Sequence, residues 1–319
     1  MKKGLLIIIT LIACVTAEAQ QFTLPQNNNA ALRYWAAFAE MKDRALDDST
    51  SRLIDEVLDG SAGWDEKRLG PIVEENAYAV RAMQRAVSLP ECNWGLDYSL
   101  GAAMPLAHLP KSRTLARLNA LYGVRQLSRG EADSAVATWL AGLRFAQHVG
   151  KDIGLIGTLS AKPAFLANLH LLTAAVQSGA MNSQQQGMIR AALTQLPPDG
   201  VLWVESIRSE AWADEQGLQY MAKAQSFSEV YKRFIGSEPP AGAKPPSQAD
   251  MNAFRGLMNE VIAAFQLPQA QTQERLPAII AKLKEMNPTI QAIVPNYERL
   301  STNRKSVTSD MEALLKSLK

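Results

Sequence analysis

The chain has 319 residues, with 33 Lys+Arg against 31 Asp+Glu and a formal net charge of +2 at pH 7. So even a balance excludes bulk electrostatic attraction to nucleic acid or to an anionic membrane surface. Hydrophobic residues make up 47% and charged residues 20%, which supplies material for a sizeable core and excludes a disordered composition.

The N-terminus reads as an export signal. Lys2 and Lys3 form a basic start, residues 4–13 are apolar, and Ala17-Glu18-Ala19 places small residues at −3 and −1 for a cleavage before Gln20. That apolar run is short for a bilayer span, and no later segment carries the long uninterrupted run of a transmembrane helix. Leu11-Ile12-Ala13-Cys14 resembles a bacterial lipobox, which implies lipidation of Cys14 and a membrane tether instead of free diffusion. Both readings of the signal stand at this point. Ordinary cleavage removes Lys2, Lys3 and Glu18, leaves a net charge of +1, and leaves Cys92 as the only cysteine, so no internal disulfide is available.

Beyond residue 21 the pattern is helical. Leu32, Trp35 and Ala39 share a face behind the N-cap candidates Asn27 to Asn29. Pro71 suits a first helical turn, and apolar residues recur from Ile72 to Val87 at three-to-four spacing until Pro90. Two helices follow over 111–128 and 133–149, separated by Gly130 and closed by Gly150. Another helical stretch covers 152–178, with Pro163 as a break or kink. Residues 183–196 form the next helix, and Asp199 is placed to cap a long one reaching about Gln225.

Residues 236–247 read GSEPPAGAKPPS, a proline-rich linker or loop. Ser247 and Asp250 can cap the helix beyond it, in which Phe254, Leu257, Met258, Val261, Ile262 and Phe265 follow the helical template. No segment alternates with a period of two between hairpin turns, so no significant sheet is expected. The predicted fold is all-α, an irregular array or bundle of antiparallel helical hairpins. Its predicted parts are the signal at 1–19, a main helical domain at 20–235, the linker at 236–247 and a C-terminal helical segment at 248–319.

Within 116–149, Gly123, Gly130, Ala135, Trp139 and Gly142 stand at the small, turn and aromatic positions of a helical hairpin that resembles a tetratricopeptide repeat unit. Asn119 and Gln126 depart from that pattern where it has aromatics, and Gln147 departs where it has proline. The resemblance implies a TPR-like portion and a protein partner. The segments CNWGLDY and LPKSRTLARL are also similar to those of exported helical proteins of unassigned function, which implies location and fold and brings no activity.

Candidate chemistry concentrates at 91–110, the least helical stretch, with Cys92, Trp94, Asp97, Tyr98 and His108. Trp94, Asp97, Tyr98 and His108 are the candidate binding residues, set against the plainer reading of a packed connector. Glu210 and Asp214 lie four apart on one helix face beside Trp212 and can share acid and base roles or bind a cation. The plainer reading is a solvated face balanced by Arg208 and Lys223. Lys111, Arg113, Arg117, Arg125 and Arg129 likewise read as a solvated basic face, and His170 as a core or boundary histidine. Three histidines without HExxH or CxxC point to no metal site, and the absence of a glycine-rich loop after a strand points to no nucleotide cofactor. The sequence thus leads to an exported helical binding or scaffold protein of the cell envelope. Two alternatives remain: a hydrolase of an envelope polymer with its site near 91–110, and a lipid-anchored structural protein.

Overall fold

The computed structural model describes residues 28–42, 45–97, 104–151 and 154–318. Among them there are helices and no strands, and the one β-type contact is an isolated bridge between Asn29 and Glu91. The fold is all-α, as the periodicity predicts. The export signal at 1–19, Cys14 and Tyr98 lie outside the described residues.

Helix α1 (Ala30–Glu40) is capped by Asn29, whose side chain accepts the Ala31 N–H at 3.1 Å. Helix α2 (Asp48–Asp59) is capped by Asp47, which takes the Thr50 N–H at 2.9 Å. The stretch read from sequence as one run divides into α3 (Glu66–Glu75) and α4 (Ala77–Ala86). Pro71 falls in the interior of α3 because Asp65 caps that helix upstream, on the Arg68 N–H at 3.0 Å. The division comes at Asn76, whose side chain accepts the Lys42 N–H at 2.8 Å and donates to the Ile72 carbonyl at 2.9 Å.

Helices α5 (His108–Ser128) and α6 (Ala132–Gly150) are joined by a tight turn in which Gly130 adopts a φ of 78°. Asn119 and Gln126 belong to a polar seam. The Asn119 amide donates to the Thr138 carbonyl at 3.0 Å, Gln84 donates to both Asn119 Oδ1 and Thr138 Oγ1 at 3.1 Å, and Thr138 Oγ1 donates to Gln126 at 2.7 Å. Buried polar groups satisfied in this way tie α4, α5 and α6 in one register. Arg125, read from sequence as solvated, is buried instead. Its guanidinium bridges Glu66 at 2.8 Å and Glu74 at 2.6 Å, fastening α5 to α3 and holding the Glu66 carboxyl down at about 2.

Helix α7 (Gly154–Gln177) carries one formal charge, Lys162, and is apolar nearly all round. A helix of that composition belongs inside, and α7 packs against α2, α5, α6 and α14. Pro163 lies within α7 without ending it. His170 is exposed and pairs with Asp310 at 3.1 Å, so it is not a core histidine.

Helix α8 (Ser183–Thr194) precedes α9 (Trp203–Lys223), which also packs on α7. Asp199 does not cap α9; Leu202 holds that position, and the Asp199 carboxylate receives Arg304 at 2.7 Å. Helix α10 (Phe227–Ile235) ends at Gly236, whose φ of 81° starts the proline-rich loop. The loop is pinned where Thr289 donates to the Lys244 carbonyl at 2.9 Å. Helix α11 (Gln248–Phe265) has the capping box of Ser247 and Asp250 that its sequence predicts. Helices α12 (Gln269–Ala281), α13 (Pro288–Ile293) and α14 (Tyr297–Ser317) complete the described chain. Val307, Met311 and Leu314 of α14 share one apolar core with Phe165 and Leu169 of α7, so residues on both sides of the loop are buried together.

Candidate functional site

Of the candidate residues in 91–110, the structure joins Trp94 and His108. Their rings stack with centroids 4.4 Å apart and an interplanar angle of 23°. Trp35 and Phe38 of α1 complete the cluster, each 6.2 Å from Trp94. The segment is held there by a pair of bonds between Asn29 and Asn93, each 2.8 Å, and by Trp94 Nε1, which donates to the His148 carbonyl at 2.9 Å. Cys92 Sγ meets the same carbonyl at 3.8 Å, and His148 Nδ1 lies 2.6 Å from the Tyr34 hydroxyl. His108 is fully buried, and neither ring nitrogen has a hydrogen-bond partner among the described residues. Burial alone pushes its pKa down to about 4; a carboxylate in contact would push the other way, so Asp97, which is exposed, does not act on it. This is an aromatic joint between α1, the 91–97 connector and α5.

A different pair of residues faces a cavity. Glu210 and Asp214 of α9 turn inward, away from the solvated position their spacing suggests. They meet a cleft of about 430 Å³ walled by Met104, Leu106, Ile156, Met221, Phe234 and Ile293. Small residues at Ala213, Gly217 and Ala292 leave the space open. Glu210 Oε2 accepts the Leu155 N–H at 2.9 Å, so it serves the first turn of α7 as a remote cap. Its carboxyl is nonetheless raised, by burial first, against the lowering effect of that bond. Asp214 Oδ2 is buried and has no hydrogen-bond partner among the described residues. Burial, reinforced by the Glu210 charge, lifts the Asp214 pKa to about 8. Among the described residues no basic side chain offsets either carboxyl, and Arg208 and Lys223 do not pair with them. The phenol of Tyr297, raised by burial and by both acids, donates to Met258 Sδ at 3.7 Å.

The Glu210–Asp214 pair therefore holds a proton at neutral pH, on Asp214 at about 8, while burial also raises the Glu210 carboxyl beside it. It can accept from a cation and donate to an acceptor. A sugar bears a hydroxyl on nearly every carbon, and among the described residues these two acids are the only titratable side chains lining a mostly apolar cleft, which suits an apolar ligand with one polar head. Among the described residues no three His, Cys, Asp or Glu side chains gather at metal-binding distance. No helix among them is long and apolar enough to cross a membrane. The inward turn of Glu210 and Asp214 escapes sequence reading because the walls come from Leu106, Ile156 and Ile293, far apart along the chain. Comparison with protein families, with curated proteins and with solved structures finds no match for this chain.

Proposed function

We propose that the chain is an exported helical binding protein of the cell envelope that captures a partner segment through a basic side chain flanked by apolar ones. The observation that carries this reading is the pair of inward carboxyls, paired with no cation among the described residues, that line a mostly apolar cleft. Desolvated acids of this kind are costly, and an inserted ammonium or guanidinium group offsets that cost. The rim supports a peptide ligand. Ile156 is 53% exposed and Tyr220 54% exposed, and Tyr220 packs against Phe234 of the cleft wall with centroids 5.7 Å apart. Exposed apolar groups around a charged floor are typical of protein contact sites. The α5–α6 hairpin and its likeness to a repeat unit support a protein partner, and the Lys2–Ala19 signal supports export.

The test is fluorescence anisotropy with a short apolar peptide containing one central lysine, against the same peptide with norleucine at that position. A preference of about tenfold for lysine is expected, since a charge-assisted contact contributes roughly 1.5–3 kcal/mol. The preference should vanish in the double variant that combines Glu210→Gln with Asp214→Asn. Equal binding of the two peptides, or a preference that survives both substitutions, defeats the proposal. Export is checked separately by the mass of the mature N-terminus, which begins at Gln20 or at a lipidated Cys14.

A further inference from the structure

A second cleft lies on another face of α7 and has the opposite electrostatic character. It encloses about 690 Å³ between α7 and the start of α14. Leu155, Leu159, Pro163 and Leu166 line it from α7, at the spacing of one helical face. At a rise of about 1.5 Å per residue these positions form an apolar strip roughly 16 Å long. Lys162 and Arg299 stand over the strip, with Asn296 and Asn303 beside them.

The two cations are the informative feature. Lys162 is the one formal charge on α7, and apolar neighbours surround it on that helix. Its ammonium donates to an uncharged acceptor, Asn303 Oδ1, at 2.7 Å. Burial pulls its pKa down, opposed by the Asp310 carboxylate, which is itself engaged with His170 at 3.1 Å. Arg299 is exposed, and its guanidinium makes no hydrogen bond or ion pair among the described residues. Elsewhere the fold neutralises its inward cations directly: Arg125 has Glu66 and Glu74, and Arg304 has Asp199. At this cleft no carboxylate among the described residues bonds either cation, and Asp310 acts on Lys162 through its charge alone.

We infer that the α7–α14 cleft binds an amphiphilic anion, with a carboxylate or phosphate head between Lys162 and Arg299 and an acyl tail along Leu155, Leu159 and Leu166. The head supplies the counter-charge that the protein withholds, and the tail covers apolar side chains such as Leu159, which is 42% exposed. The same chemistry has two sources, a free fatty acid and the anionic headgroup and chain of a membrane lipid. This site is separate from the acid cleft and does not rest on the function proposed for it.

The test is calorimetric titration of the purified protein with dodecanoate, together with flotation on vesicles of neutral lipid with and without phosphatidylglycerol. Saturable binding of dodecanoate at one equivalent assigns a free amphiphile, and flotation that needs phosphatidylglycerol without dodecanoate binding assigns a lipid headgroup. In either case Lys162→Met combined with Arg299→Gln should weaken binding at least about tenfold. Leu159→Glu changes an exposed position, keeps the thermal transition, and should abolish binding by placing a carboxylate on the tail path. Dodecyltrimethylammonium, with the same tail and the opposite head, should bind at least about tenfold more weakly than dodecanoate. The inference is overturned if neither anion binds, if the cationic detergent binds as well as dodecanoate, or if the variants bind like the native chain.

Discussion

Gly123 and Trp139 are built as a pair: a Cβ on Gly123 would lie 2.3 Å from the indole Nε1, which itself donates to the Ala120 carbonyl at 3.1 Å. Trp139 is 1% exposed and has no room to withdraw. Gly123→Ala therefore sets about 1 kcal/mol of gained helix propensity against an overpacking cost of about 1–3 kcal/mol or more. The overlap is deep, so a net loss of roughly 2 kcal/mol is expected, read as a fall in Tm. Gly187 of α8 is the control. It is exposed, and nothing lies within 4 Å of an added Cβ, so Gly187→Ala should raise stability by up to about 1 kcal/mol. Equal effects at the two glycines would show that α5 and α6 are not in close contact.

Asp214→Asn is expected to stabilise the protein, and the effect should grow with pH. The folded carboxyl titrates at about 8, against 3.8 for an unperturbed one. Between those values the folded state holds a proton that the unfolded state releases, so the native protein loses stability as pH rises from about 4 to 8. Asparagine copies the protonated acid and does not titrate. The difference in unfolding free energy between variant and native chain should be near zero at pH 4, reach at least about 2 kcal/mol by pH 8, and level off above it. A difference that is flat across this range would mean that Asp214 is solvated.

The helices were legible because their signals are local. Ser247 and Asp250 cap α11 as their spacing predicts, and the apolar residues from Phe254 to Phe265 are those that become buried. Signals that depend on distant partners were not. Arg125 reads as one charge of a basic face until α3 brings Glu66 and Glu74 beneath it. Asp199 has the composition of a helix cap, yet Arg304, remote in sequence, claims its carboxylate. The site behaves in the same way. Trp94 and His108 stand out as candidates on one stretch of the sequence and stack in space, whereas Glu210 and Asp214 become inward-facing only through the placement of α7 and α13.

Arg304 should be the most sensitive charge in the C-terminal half. Its side chain is 4% exposed, and it reaches Asp199 at 2.7 Å, the Leu267 carbonyl at 2.9 Å and Thr272 Oγ1 at 2.9 Å, over the face of Phe265. One side chain thus joins α14, α12, the end of α11 and the turn before α9. Arg304→Ala leaves Asp199, the Leu267 carbonyl and the Thr272 hydroxyl without this donor, and a loss of about 3–5 kcal/mol is expected from chemical denaturation. Lysine has neither the planar fork nor the reach for three acceptors, so Arg304→Lys should recover less than half of that loss. Full recovery with lysine would reduce the role of Arg304 to charge alone.

His108 sets the acid limit of the aromatic joint. Its folded pKa of about 4 lies below the ordinary 6.5, and the same holds for His148, so the unfolded chain binds more protons between those values. Stability from each ring is complete above pH 6.5 and is lost as pH falls toward 4, by up to about 3 kcal/mol per ring. Asp214 acts in the opposite sense throughout this window, so the total curve hides the histidines and a difference curve is needed. His108→Phe provides one. Phenylalanine keeps the stacking on Trp94 and removes two buried nitrogens without partners, worth about 1 kcal/mol or more at pH 7.5. The advantage of the variant should widen from pH 6.5 down to 4 and then hold constant. His148→Phe should differ at pH 7.5, where losing the 2.6 Å contact to the Tyr34 hydroxyl leaves a buried phenol unsatisfied and destabilises the protein. If His108→Phe shows the same margin at pH 4.5 and 7.5, then His108 titrates as a solvated histidine and the ring is not enclosed by Trp35 and Trp94.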